Sequence, residues 1–126
     1  MHLREGAVFW DGTPVTAAAV IASWQRNTDL ADRAGRPCPG LWLAAGGGLR
    51  ARSARVLAVS LAEPQENLPR LLAHPALAVA AARPGWLWPV GSGPCRLAAD
   101  TDRPRPDLVC RPNLHHPDAP AWRELR

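Results

Sequence analysis

Four side chains near the C-terminal end, Cys95, Cys110, His115 and His116, are of the types that ligate zinc. Their spacing opposes that use, because adjacent histidines rarely both reach one ion and no C-x-x-C accompanies them. No metal or other cofactor is expected. Cys95 and Cys110 keep two further readings. If the hairpin that joins them is symmetric about its turn, they fall opposite each other as Leu97 and Leu108 do. A cross-strand disulfide between Cys95 and Cys110 then fits, provided the Cα atoms lie within roughly 7 Å. The other reading is a pair of small apolar residues in a core. With three cysteines in the chain, at least one stays unpaired. For nucleophilic catalysis there is no G-x-S-x-G, and no Cys with a His and an orienting acid in a recognisable setting. Glu5, Asp11, Glu63 and Glu66 sit at turns, where hydrogen bonding and solubility explain them. Gly91-Ser92-Gly93 lacks the Lys and helix start of a phosphate cradle. These residues do not support an enzyme.

The 126 residues are one domain's worth of chain, and 47% hydrophobic with 21% charged content is that of a globular protein. The net charge of +4 rests wholly on Arg. Arg50, Arg52 and Arg55, then Arg103 and Arg105, are its densest patches. Without a helix-turn-helix, zinc-finger or RNP-like pattern beside them, they read as solvated loop and strand-edge residues, and no nucleic-acid partner is expected from this segment. No apolar run reaches the ~18 residues of a membrane span. Met1 leads straight into strand-like sequence, without the basic start and apolar stretch of an export signal. If Met1 is the true start, a cytoplasmic location is expected.

Several elements can be placed from pattern. Asp11-Gly12 is a tight-turn dipeptide, and Thr16 is placed to cap a helix over 17–27. Ala17, Val20, Ile21 and Trp24 share one face of that helix, so Trp24 reads as a core anchor. Asp29 to Gly48 is a mixed connection broken by Pro37-Cys38-Pro39-Gly40 and Gly46-Gly47-Gly48. Arg55 to Leu61 alternates as a strand. Asn67-Leu68-Pro69 opens a second helix with Leu68, Leu71 and Leu72 as its buried stripe. The run 76–81 is expected to be a short buried strand. Cys95–Leu97 and Leu108–Cys110 are expected to pair around a turn over 101–106, and the tail 113–126 has Trp122 as its anchor.

Two stretches carry more than pattern. Leu3-Arg4-Glu5-Gly6, Val8-Phe9, Asp11-Gly12-Thr13-Pro14-Val15-Thr16-Ala17 and Ser23-Trp24-Gln25-Arg26 closely resemble the signature of the family 5 extracellular solute-binding proteins, the peptide and nickel receptors of ABC importers. Pro89-Val90-Gly91-Ser92-Gly93-Pro94-Cys95-Arg96-Leu97 resembles the family's P-V-G-T-G-P-Y-x-L, with Cys95 where an aromatic usually stands. Ala18 and Ala19 replace acidic residues, and Arg111-Pro112-Asn113-Leu114-His115-His116 departs from the family's R-N-P-x-Y-W.

The resemblance implies a mixed α/β structure, part of one lobe of a type II periplasmic-binding-protein-like fold, with a mixed sheet and flanking helices. It treats 1–126 as a single partial domain made of 1–28, 55–82, 89–112 and a tail. It implies a truncated receptor component that binds a small peptide or chelated metal only with the missing lobe, an ABC permease as partner, and a periplasmic or extracellular location. Trp42 and His74 occupy places where relatives can face a ligand. The alternatives are a solute-sensing portion of a cytoplasmic transcription regulator, and an interaction module without ligand, with Trp86 and Trp88 as its patch.

Overall fold

The computed structural model describes residues 1–38, 48–61, 63–85, 88–97 and 109–125; Trp42, Trp86 and the expected turn over 101–106 lie outside them. The elements are α1 (Ala17–Arg33), β1 (Gly48–Ser53), β2 (Val56–Ser60), α2 (Leu68–Leu72), a 3-10 turn at Pro75–Leu77, β3 (Ala80–Ala81), β4 (Val90–Gly91), β5 (Cys95–Leu97) and β6 (Cys110–Pro112). The described strands pair antiparallel as β1–β2, β3–β4 and β5–β6. The mix of helix and strand is the one expected. The chain forms two compact units, Met1–Glu5 with Thr16–Val79 and Gly6–Val15 with Ala80–Arg126.

The first unit is built on α1. The Thr16 side chain accepts from the Ala19 N–H at 3.2 Å, as its capping role requires. Ala17, Val20, Ser23 and Trp24 are buried, whereas Ile21 is only half-buried, so three of the four residues read as the inward face form it and Ser23 joins them in place of Ile21. The helix runs six residues past Asn27 because nothing stops it until Gly35. There φ reaches +60°, a conformation only glycine adopts cheaply, and Gly35 and Arg36 donate back to the Asp32 and Ala31 carbonyls in a Schellman closure. Residues 28–33 lack an apolar stripe, and Leu30 is exposed, which is why periodicity misses them.

β2 is the expected strand, with Leu57 fully buried. Its partner β1 carries Arg50 and Arg52, both exposed, inside what reads as a connection; Arg and Ala give strand pairing no side-chain signal. On the same stretch of β2, Met1 N donates to the Leu57 carbonyl at 2.9 Å and Leu57 N to the Met1 carbonyl at 3.0 Å. Arg55 pairs with Glu5 at 2.8 Å at the surface, a contact of small energetic weight.

The second helix forms, although Asn67 makes no side-chain cap bond and the stripe of Leu68, Leu71 and Leu72 is only half-buried. The apolar run after it departs from a continuous strand. Pro75 starts a 3-10 turn that buries Leu77, and only Ala80–Ala81 is strand. Three side chains of α1 hold this turn. Trp24 Nε1 donates to the Leu77 carbonyl at 2.7 Å, Ser23 Oγ to Ala78 at 3.3 Å, and Asn27 Nδ2 to Ala76 and Ala78 at 3.0 and 3.2 Å.

In the second unit Phe9 and Val90 are buried. Phe9 N donates to the Thr13 carbonyl at 2.8 Å and Gly12 N to the Phe9 carbonyl at 2.8 Å, closing a three-residue hairpin loop. Gly12 stands at φ +83°, the left-handed position that this loop demands. Trp10 N then bonds the Gly91 carbonyl at 3.0 Å, joining the hairpin to β4.

The β5–β6 hairpin corrects the symmetric expectation. Cys95 lies opposite Pro112 and Leu97 opposite Cys110, a register two residues away from one that pairs Cys95 with Cys110. Both thiols are free. Asn113, which is 1% exposed, sets this register: its backbone N–H donates to the Pro94 carbonyl and its Nδ2 to the Gly93 carbonyl, each at 2.8 Å. Trp122, expected to anchor the tail, is exposed; the tail is tied instead through Cys110 and Leu125, which exchange backbone bonds at 2.8 and 2.9 Å, and through Arg111, which meets Glu124 at 3.3 Å.

Trp24→Phe keeps most of the buried surface but leaves the Leu77 carbonyl without its donor. Urea unfolding followed by far-UV circular dichroism should show a loss of about 1–3 kcal/mol. A change within error would mean that the bond contributes nothing to this unit.

Candidate functional site

Among the described residues, a dense polar cluster lies in the second unit at the hairpin turn. Asp11 is placed by the tight loop so that one carboxylate oxygen accepts from the Thr13 N–H at 3.0 Å and the Thr13 hydroxyl at 2.6 Å. Its other oxygen accepts from Arg83 Nε at 2.8 Å, and Arg83 Nη2 donates to Thr13 Oγ1 at 2.6 Å. The guanidinium also sits 5.7 Å from the centre of the Phe9 ring. Burial works against the charged form of Asp11, yet the Thr13 hydroxyl and amide, followed by Arg83, outweigh it and hold the carboxyl below its ordinary value of 3.8. The cluster spends its donors and acceptors on itself. It fixes the turn rather than presenting an acid or base.

Around it, Arg96 lies 5.3 Å from the centre of the Trp10 ring, and the His115 imidazole reaches the outside of the turn, 3.6 Å from where a Cβ on Gly12 would stand. Asn113 Oδ1 accepts from the His115 N–H at 3.1 Å. Nothing local in the sequence announces Arg83, since its partner Asp11 is 72 residues away.

In the first unit an open groove of about 410 Å³ lies at the C-terminal end of α1. Leu30, Ala31, Ala34, Pro37 and Pro75 give it apolar walls, with Asn27 and Arg36 as polar members. The Asn27 amide is already engaged with the Ala76 and Ala78 carbonyls. Cys38 also borders this groove and is buried.

Of the candidate ligand-facing residues, Trp42 lies outside the described residues. His74 is exposed at the start of the 3-10 turn, where its Nδ1 accepts the Ala76 N–H at 3.1 Å. That bond gives the histidine a local structural task. Trp88 is exposed, whereas Trp86 lies outside the described residues. Among the described residues, no group of three or more His, Cys, Asp or Glu is placed to hold a metal ion. No described helix is long and apolar enough to cross a membrane.

Residues 1–115 match the profile of the bacterial extracellular solute-binding proteins, family 5 Middle. The chain belongs to that family. Among solved structures of similar proteins, the murein tripeptide binding protein MppA of Escherichia coli is 27% identical with a TM-score of 0.67, over 94% of this chain and 27% of MppA. OppA of Burkholderia pseudomallei, at 24% identity and a TM-score of 0.68, shares the fold over 94% of this chain and 27% of its own. So does the clavulanic acid biosynthesis oligopeptide binding protein 2, at 24% identity and a TM-score of 0.63, over 94% of this chain and 25% of its own. No curated protein matches. The family 5 chain described here thus spans 25–27% of the length of these neighbours. Both resembling stretches of the sequence fall inside the matched residues.

Because its folded-state value is depressed, Asp11 contributes stability that is present above 3.8 and is lost as pH falls through the lower folded value. Thermal melts of the wild type should therefore drop over that acidic window. Asp11→Asn should start lower at neutral pH and lose less across it. Parallel curves for the two would remove Asp11 as the source of the acid sensitivity.

Proposed function

We propose that this chain supplies part of the ligand-binding wall of a peptide receptor serving an ABC importer. It binds a short peptide only together with the rest of such a receptor. The observation that carries the reading is the 27% identity and TM-score of 0.67 to MppA, a protein named for binding murein tripeptide. The match of residues 1–115 to the solute-binding family supports it. A ligand pocket typically encloses 70–90% of its ligand's surface. A chain corresponding to 27% of MppA offers only part of such an enclosure, so its own grip is weak. A peptide is favoured over a nickel chelate because the neighbours are named as peptide binders. The receptor reading carries with it a periplasmic location and a permease partner.

Trp42 is the side chain we assign to the peptide, and His74 is the second, its ring edge being open to solvent while Nδ1 caps the turn. A chimera in which this sequence replaces the matched part of MppA tests the assignment by calorimetric titration with murein tripeptide. The chimera should bind, and Trp42→Ala should weaken it by roughly tenfold or more. The chain by itself should show little thermal shift with di- and tripeptides, whereas a ligand at 100 times its Kd would add about 2.7 kcal/mol. A folded chimera that binds no peptide would overturn the reading.

A further inference from the structure

We propose that Asn113 pins the β5–β6 hairpin in a register that keeps Cys95 and Cys110 apart as thiols, and that a two-residue slide of this pair joins them as a disulfide. In the observed register Cys95 faces Pro112 and Cys110 faces Leu97. Residues two apart along a strand share a face, so the two thiols lie on one side of the ribbon as diagonal neighbours. Diagonal neighbours are about 7–8 Å apart, beyond the roughly 4.4–6.8 Å between Cα atoms that a disulfide spans. The bridge cannot close in this register.

One slide of two residues, about 7 Å of strand, sets Cys95 directly opposite Cys110. Because the shift is even, every side chain keeps its face, and the slide does not turn the apolar side outward. The kind of pair it creates also suits a disulfide. Asn113 N–H donates to the Pro94 carbonyl, so Cys95 and Pro112 form a rung without mutual hydrogen bonds, as do Leu97 and Cys110. Cys110 accordingly turns its N–H and carbonyl toward Leu125. After the slide Cys95 and Cys110 occupy such a rung, where Cα atoms stand about 4.5 Å apart, within the disulfide range.

Within the β5–β6 pair, what opposes the slide is Asn113. It carries two 2.8 Å bonds to the Gly93 and Pro94 carbonyls from a site that is 1% exposed. The slide carries its buried amide away from both acceptors, so the thiol form is held by satisfied polar groups rather than by distance alone.

The chemistry needs a disulfide oxidant, and glutathione disulfide serves. Cys95 is exposed; its thiolate, having lost its proton to water, attacks one sulfur of the oxidant and releases one glutathione. The half-buried Cys110 thiolate then displaces the second glutathione from the mixed disulfide, closing the bridge. Two thiols are oxidised and one glutathione disulfide is reduced to two glutathione thiols.

The test equilibrates the chain in glutathione buffers of graded ratio and reads the loss of about 2 Da by intact mass, with peptide mapping to locate the bridge. Asn113→Ala should raise the equilibrium constant for the Cys95–Cys110 bridge at least tenfold over wild type. An unchanged constant, or a bridge to Cys38 instead, overturns the proposal. Should the Asn113 variant fail to fold, the double variant C95S/L97C decides, because its two thiols face each other in the observed register. It should oxidise at least tenfold more readily than wild type, and equal readiness overturns the proposal.

Discussion

The indole N–H of Trp24 and the carbonyl of Leu77 meet in a site from which water is excluded, and much of the first unit follows from that meeting. A 3-10 turn that follows a proline leaves carbonyls needing donors, and each one buried without a donor costs on the order of 1–3 kcal/mol. One face of α1 meets that need with Ser23, Trp24 and Asn27 at steps of one and three residues. The helix therefore docks through oriented bonds as well as apolar area. Orientation is what apolar burial by itself supplies poorly, since the hydrophobic effect has no direction.

The second unit solves the same problem with different groups. Its opening hairpin closes through a glycine in the left-handed region, and the polar edge this creates is neutralised from a distant part of the chain by Arg83. The Thr13 hydroxyl serves as both donor and acceptor there, donating a hydrogen bond to Asp11 and accepting one from Arg83. Asn113 does comparable service in the same unit, donating to Gly93 and accepting from His115. In both places one small polar side chain satisfies several backbone or charged groups at once, which suits a chain with little room for a large core.

The parts of this structure that were legible in the sequence are those governed by local rules. Thr16 capping α1, Trp24 turned inward, β2 with Leu57 buried and the tight turn at Asp11-Gly12 all follow from spacing and side-chain type. The stop at Gly35 was equally local but lay hidden behind a stretch without apolar rhythm. β1 was missed because Arg50 and Arg52 offer no face to bury. The register of β5 and β6 departs from the symmetric expectation for a different reason. Symmetry about a turn is a convenience, whereas the real alignment is dictated by a buried asparagine beyond the strand end. Of the candidate site, family kinship was readable in the two motif stretches, but the Asp11–Arg83 cluster joins residues too far apart in sequence for any pattern to connect them.

The excursion of residues 6–15 out of the first unit and into the second has a genealogical side. Neither unit is an unbroken run of sequence, so neither can be duplicated, shuffled into another gene or excised as a module by two cuts. A nick between Val79 and Ala80 would leave the C-terminal piece clasped by the Asp11 hairpin that stays with the N-terminal one. The two units are consequently bound to be inherited together.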